Sequence, residues 1–232
     1  MTIVRFNRTP VGVGLKAMEE PSSSDVINTL SLFRASLDDA ARYGGEVTRQ
    51  ALGVMHFSGK RHYITVDTKV HNLMPGFMPG IPGWHTDGVP RTKAGADPEG
   101  NEPPDIIRQE FFEDRKPIYH LLVTGDACPT RFVQTPDFMV GLGPPSHDLY
   151  RDLSMSVNAM VKSRELETWE TAAGVPYVWD WWTVHTVQKA VKRGWRFLIR
   201  VTESDFLPPT TDVRALIRSQ NQVYVESTEM GW

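Results

Sequence analysis

The chain has 232 residues, 40% apolar and 23% charged, the proportions of a soluble globular protein with one sizeable domain and room for appended helices. Its net charge of −3 lacks the global basic footprint of a nucleic-acid-binding protein and leaves only a local basic rim for such a partner. The single cysteine, Cys128, excludes an intramolecular disulfide and fits a reducing compartment.

The N-terminus, Met1–Arg8, lacks the apolar core of a signal peptide, and no run approaches the roughly 18 apolar residues of a membrane helix. The expectation is a cytoplasmic protein with no membrane partner. Residues 1–22, with Pro10, Gly12, Gly14 and Pro21, predict an extended arm. Ser22-Ser23-Ser24-Asp25 offers N-caps for a helix. Val26, Ile27, Leu30, Phe33, Leu37 and Ala41 continue it at near-helical spacing until Gly44-Gly45. A second short helix over 46–55 would complete a supporting layer, residues 1–55, outside a sheet.

From His62 the period changes to two. Tyr63, Thr65, Asp67, Lys69 and His71 alternate with Ile64, Val66, Thr68 and Val70, which predicts a strand. His71 and Asn72 either face a site or are structural. Pro-Gly pairs at 75–76, 79–80 and 82–83 then form a loop that delivers the chain to Trp84-His85-Thr86-Asp87-Gly88. Residues 88–116, rich in Gly, Pro and charge, predict a long loop that rims a site mouth, as a lid or as a passive insertion. Strands follow at Ile118–Thr124 and Thr130–Val133, a helix at His147–Arg164 with Leu149, Leu153, Val157, Met160 and Val161 on one stripe, and a strand and turn at Val175–Trp182. Trp179, Trp181 and Trp182 serve as core packing, or shield or stack beside a site. After His185 comes a basic turn ending in Gly194, and then an apolar strand carrying Arg196 and Arg200. The tail, 204–232, predicts a short helix near Asp212–Arg218 and a strand at Val223–Val225. Short strands between Gly/Pro turns, with few helices, point to a mainly β sandwich or barrel in a single domain, 1–232.

His85 and Asp87, two apart on extended backbone, point to one face, so an imidazole nitrogen and a carboxylate oxygen can converge on one metal ion. With 7 His and 15 Asp in 232 residues, about 0.4 such pairs arise by chance, so the pair needs support from elsewhere. His185, 98 positions beyond Asp87, supplies a third ligand from another strand. Two His and one carboxylate make the facial triad of non-haem Fe(II) oxygenases, which leaves three coordination positions open. Arg196 follows His185 by 11 residues.

The order H-x-D, a long gap, His, then Arg resembles the Fe(II)/2-oxoglutarate-dependent dioxygenases over roughly residues 62–203. The resemblance implies a double-stranded β-helix, or jelly roll, with the 88–116 insertion and buttressing helices. It also implies Fe(II) on His85, Asp87 and His185, and 2-oxoglutarate and O₂ as cosubstrates. Arg196 would grip the distal carboxylate of 2-oxoglutarate, a task that suits the guanidinium fork. Thr130 either reaches 2-oxoglutarate or is a plain strand threonine. Arg200, four residues past Arg196 and on the same side, holds a second anion or makes an ion pair at the barrel edge. The expected reaction couples decarboxylation to succinate and CO₂ with oxidation of a C–H bond. Asp87 favours hydroxylation over halogenation, because related halogenases lack this carboxylate. The expected partner is a small-molecule substrate of unspecified identity; nothing in the sequence bears on oligomeric state. Three alternatives stay open: a nucleobase substrate, with Trp stacking and Arg91, Lys93, Lys189, Lys192 and Arg193 as a basic rim; a cupin-like metal-binding module; and a structural β domain with an accidental His-Asp pair. An inward Arg196 separates the oxygenase reading from the cupin-like module.

Overall fold

The computed structural model describes residues 1–217 and 222–225. Its first elements are β1 (Thr2–Arg5), β2 (Gly12–Val13), α1 (Ser23–Ile27), α2 (Leu37–Tyr43), α3 (Gly45–Val54), β3 (Tyr63–Leu73) and β4 (Phe77–Met78). A 3₁₀ segment (Ile106–Arg115), β5 (Ile118–Val123), β6 (Thr130–Val133), β7 (Met139–Leu142) and α4 (Leu149–Lys162) follow. The rest comprises β8 (Thr168–Glu170), β9 (Tyr177–Asp180), β10 (His185–Val187), β11 (Gly194–Ser204), α5 (Val213–Leu216) and β12 (Tyr224–Val225).

The architecture is mainly β, with antiparallel pairing throughout. The largest sheet has the order β2-β9-β5-β11-β3, and a smaller one the order β10-β6-β8. Strand β11 is the spine: all eleven of its residues pair with β3, and Leu198–Glu203 also pair with β5 on the other side. Both faces of β11 are covered, which explains its apolar run. Phe197, Ile199 and Val201 point to the helical layer and meet Val47, Ala51 and Val54 of α3, together with Val66 and Val70 of β3. Leu198 points the other way, toward a core of Tyr119, Leu121, Phe132, Trp179, Trp181 and Trp182. The interval of two that puts Phe197 outward puts Arg196 and Arg200 inward. Each fully buried apolar side chain in these layers is worth about 1.5–3 kcal/mol of transfer free energy.

Three sequence expectations change. The helix predicted to run from Asp25 to Gly44 breaks after Ile27 and restarts at Leu37. Between them, Leu32–Ala35 lie along the outer edge of β3: Ala35 and Val66 exchange two backbone bonds, Leu32 N–H donates to Thr68 Oγ1, and Arg34 N–H to Asp67. A sheet edge with unpaired amides outcompetes two helical turns. Ser36 then caps the restarted helix.

The predicted arm is woven into the sheets. β1 pairs with β7 and β2 with β9, while Phe6 is fully buried. Asn7, at φ +51°, a conformation that asparagine tolerates better than most residues, donates to the carbonyls of Val133 and Thr135 and accepts from Val184 N–H, one residue before His185.

The 88–116 stretch is not one loop. Its last third is the 3₁₀ segment, interrupted at Phe112, with Ile106 and Gln109 buried. Arg91 and Pro104 form a bridge, and residues 93–101 make the polar outer tip. In the tail, α5 falls inside the predicted Asp212–Arg218 helix and β12 inside the predicted Val223–Val225 strand; Arg218 lies outside the described residues. Among the described residues no helix is long and apolar enough to cross a membrane.

Candidate metal centre

His85 and His185 meet across the free edge of β10. Their backbones exchange two hydrogen bonds, each 3.0 Å, as an isolated antiparallel bridge. This pairing extends the β8-β6-β10 order by one strand position. It also sets the two imidazoles side by side, with ring centroids 4.5 Å apart. Each ring is oriented by its own backbone: Nδ1 of His85 lies 3.0 Å from the Gly83 carbonyl, and Nδ1 of His185 lies 3.1 Å from the Thr183 carbonyl. A carbonyl can only accept, so both Nδ1 atoms carry the proton, and Nε2 is the candidate ligand atom of each ring. Phe132 stacks on His185 and Trp179 meets it edge-on.

Asp87 completes the group, with Oδ2 3.4 Å from His185 Nε2. One ligand atom from each of His85, Asp87 and His185 lies within 4.8 Å of the others, so the three can hold one metal ion. The strand end that carries them is pinned by α4: Trp84 N–H donates to Ser154 Oγ and its indole to Asn158. Gly88 follows at φ +70°, and a Cβ there would lie 2.0 Å from the Tyr119 hydroxyl, so only glycine fits after Asp87.

The inward residues of β3 and β11 form the wall beside the triad. Register sets Arg196 opposite His71, Leu198 opposite Lys69, and Arg200 opposite Asp67. Arg200 bonds both carboxylates, reaching Asp87 Oδ1 at 3.2 Å and Asp67 Oδ2 at 3.4 Å. Arg200 therefore makes an ion pair with the triad carboxylate and with Asp67. Arg196 is only 1% exposed. Its Nε donates to the Cys128 carbonyl, its Nη2 has no hydrogen-bond partner, and no carboxylate among the described residues comes within ion-pair distance. Lys69 likewise has no such ion pair among the described residues. A cavity of about 300 Å³ is bounded by His85, Asp87, His185, Lys69, Arg196 and Arg200. Thr130, Trp179, Gln222 and Tyr224 close it.

Burial works to raise the Asp87 carboxyl, but Arg200 and the two imidazoles outweigh it and hold it below the usual carboxylate range. Burial, helped by the His85 ring, pushes His185 down to about 4, so the ring is neutral at physiological pH. His71 is pushed down to about 4 by burial and by Arg196. Burial and Arg200 lower Lys69, against the pull of Asp67. Burial also lowers Arg196, while for Arg200 the two aspartates overcome burial and raise it. Lys69, Arg196 and Arg200 thus line one cavity with Asp67 and Asp87.

A second cavity, about 430 Å³, shares Asp87 and Arg200 with the first but lies toward the 3₁₀ segment and the end of β11.

The residues predicted from sequence are brought together here: His85, Asp87 and His185 as a triad, and Arg196, Thr130 and Arg200 in the same cavity wall. Asn72 is not among them; it is exposed on the outer side of β3, while His71 beside it is buried next to Arg196. Trp182 is core, its indole bonded to Glu113 and its ring covered by Arg8. Trp179 and Trp181 are core residues that also line one cavity each. Sequence reading missed Asp67, Lys69 and Asn7. The alternation over Tyr63–His71 puts Asp67 and Lys69 on one face, a usable signal, but nothing local says that Arg196 and Arg200 stand opposite. No family model matches the chain, and no curated protein is similar to it.

Proposed function

We propose that the protein is an Fe(II)- and 2-oxoglutarate-dependent oxygenase that oxidises a C–H bond of a small organic substrate. The observation that carries this reading is Arg196: a fully buried guanidinium with an unpartnered Nη2, in the wall of the cavity that contains the triad. An uncompensated buried cation is costly, so this one fits a ligand carboxylate. A cupin-like metal module has no use for it.

The donor set suits a divalent iron. Two imidazoles and one carboxylate oxygen lie close enough together to share one ion. Bound there, the ion would activate O₂ so that 2-oxoglutarate is cleaved to succinate and CO₂ while a substrate C–H bond is oxidised. The chain's own residues do the positioning. Arg196 would pair bidentately with the distal carboxylate, Lys69 would add a second cation, and Thr130 lies in the same wall. Arg200 holds the second oxygen of Asp87, which orients the carboxylate. Trp179 and Phe132, packed on His185, limit water at the ligand.

The strand order supports the jelly-roll form of this reading. The orders β2-β9-β5-β11-β3 in one sheet and β10-β6-β8 in another, the latter extended by the His85 bridge, are compatible with the two sheets of such a fold. The test is anaerobic titration with Fe(II) and then 2-oxoglutarate. One Fe(II) per chain and metal-dependent 2-oxoglutarate binding are expected; a chain that binds neither is not this enzyme.

A further inference from the structure

The 430 Å³ cavity on the far side of Asp87 is lined by different chemistry from the one that holds Arg196. Its walls are Pro90, Phe112, Pro117, Tyr119, Trp181 and Phe206. Its volume falls within the range of about 300–1,000 Å³ typical of small-molecule sites. Three charged side chains reach it: Asp87, Arg200 and Arg108. Asp87 and Arg200 are bonded to each other, so their charges are matched. Arg108 is not matched. Its Nη1 donates to the Arg91 carbonyl, and no carboxylate among the described residues lies within ion-pair distance of it. Arg108 is half-buried as a residue, and its guanidinium has further N–H donors beyond that bond.

We propose that this cavity is the site of the oxidised substrate, and that the substrate is a small organic monoanion with an apolar body, its acidic group held by Arg108. The proposal rests on the oxygenase reading for the word oxidised, but not for the binding site itself. The apolar walls exclude water and reward a hydrocarbon body by area. A single unpaired guanidinium in such walls accepts one negative group, through a charge-assisted bond of a kind roughly twice as strong as a neutral one. A dianion would leave one charge uncompensated in an apolar space. The position of Asp87 in the shared wall puts the bound body next to a metal ligand without crossing the space assigned to 2-oxoglutarate.

The probes are straight-chain and phenyl-substituted monocarboxylates of six to nine carbons, each paired with its neutral amide. Binding to the full chain is measured by calorimetry and by tryptophan fluorescence, which Trp181 in the wall should report. It is measured on metal-free protein and on protein holding Fe(II) and 2-oxoglutarate without O₂. At least one acid should bind about tenfold or more tighter than its amide. Arg108→Gln should abolish that preference, Arg108→Lys should restore part of it, and neither should alter Fe(II) or 2-oxoglutarate binding. Phe112→Ala should weaken acid and amide alike. If acids and amides bind equally, if none binds, or if the preference survives Arg108→Gln in a folded variant, the proposal is overturned. Preference for the acid in a chain that takes no Fe(II) would retain the anion site and overturn the oxygenase reading. Fe(II) and 2-oxoglutarate binding without the preference would do the reverse.

Discussion

The two cavities that meet at Asp87 work on opposite physical terms. In the smaller, the inward positions of β3 and β11 crowd Lys69, Arg196 and Arg200 against Asp67 and Asp87, and the wall is organised by charge. In the larger, aromatic rings and prolines dominate, Arg108 is the one unmatched charge among the lining residues, and the wall is organised by area. Arg200 lines both and bonds Asp87 and Asp67. On the proposed reading, a charged ligand would be selected on one side of the triad by neutralisation, and a largely apolar one on the other by desolvation. Neither cavity alone would bring an acidic cosubstrate and an apolar body to the same carboxylate.

Removing the centre between the cavities should have the largest effect. His185→Ala deletes a ligand, and should lower Fe(II) affinity by more than the roughly 10–100-fold that follows loss of a supporting contact. Anaerobic titration of a variant whose circular dichroism matches the parent is the check; parental affinity would mean that the triad is misassigned. Next comes Arg196→Ala, which would remove the proposed partner of the 2-oxoglutarate carboxylate at a cost of about 3–5 kcal/mol. The 2-oxoglutarate dissociation constant should rise at least about a hundredfold, with monocarboxylate binding in the larger cavity unchanged. Unaltered 2-oxoglutarate binding would move the anchor, with Lys69 the first place to look.

Arg200→Gln should blur the division between the cavities. Asp87 and Asp67 would lose their shared cation, and Fe(II) affinity should drop about 10–100-fold, the range for contacts that orient a ligand. No change would show that Asp87 needs no help to stay in place. A milder test replaces the polar tip, residues 93–101, with a short Gly-Ser linker. Binding of Fe(II) and 2-oxoglutarate should be kept, and only the order of preference among monocarboxylates should shift. Loss of iron binding on that replacement would mean that the tip supports the strand end carrying His85.

The smallest effect concerns pH. Near the end of β11, Glu203 accepts from the Ser58 hydroxyl and from the backbone of Ser58 and Gly59, and pairs with His120 at 2.8 Å. Burial lowers His120. Glu203 is raised by burial, but its hydrogen bonds outweigh that and leave it lowered. Both groups bind protons more readily in the unfolded chain, so stability falls as pH drops. The decline starts below the ordinary histidine value of about 6.5 and steepens below the ordinary glutamate value of about 4.3. Thermal melts across pH 7 to 4 should show it, and the slope should shrink in His120→Asn. A flat profile would mean that the pair is already broken in solution.

Local pattern alone determined a good part of the protein. The interval of two between His85 and Asp87 puts both on one face whatever surrounds them, and the alternation over Tyr63–His71 makes β3 a strand with a polar side. The apolar stripe from Leu149 to Val161 makes α4, and Thr130–Val133 is a strand with the bounds that its β-branched residues suggest. These features depend on residues within a turn or two of one another, so no tertiary information is needed. What only the tertiary structure decided is everything that depends on which strand lies beside which. Alternation assigns a side chain to a face but is silent on its neighbour across the ladder, and register is set by packing of both faces at once. That is why Lys69 and Asp67 stand opposite the β11 arginine strand, and why Leu32–Ala35 abandon helix to cover the edge of β3. It is also why Arg200 reaches both Asp87 and Asp67. The second cavity is the extreme case. Pro90, Arg108, Tyr119, Trp181 and Phe206 come from five separate stretches of chain, and only the packed sheets bring their side chains around one space.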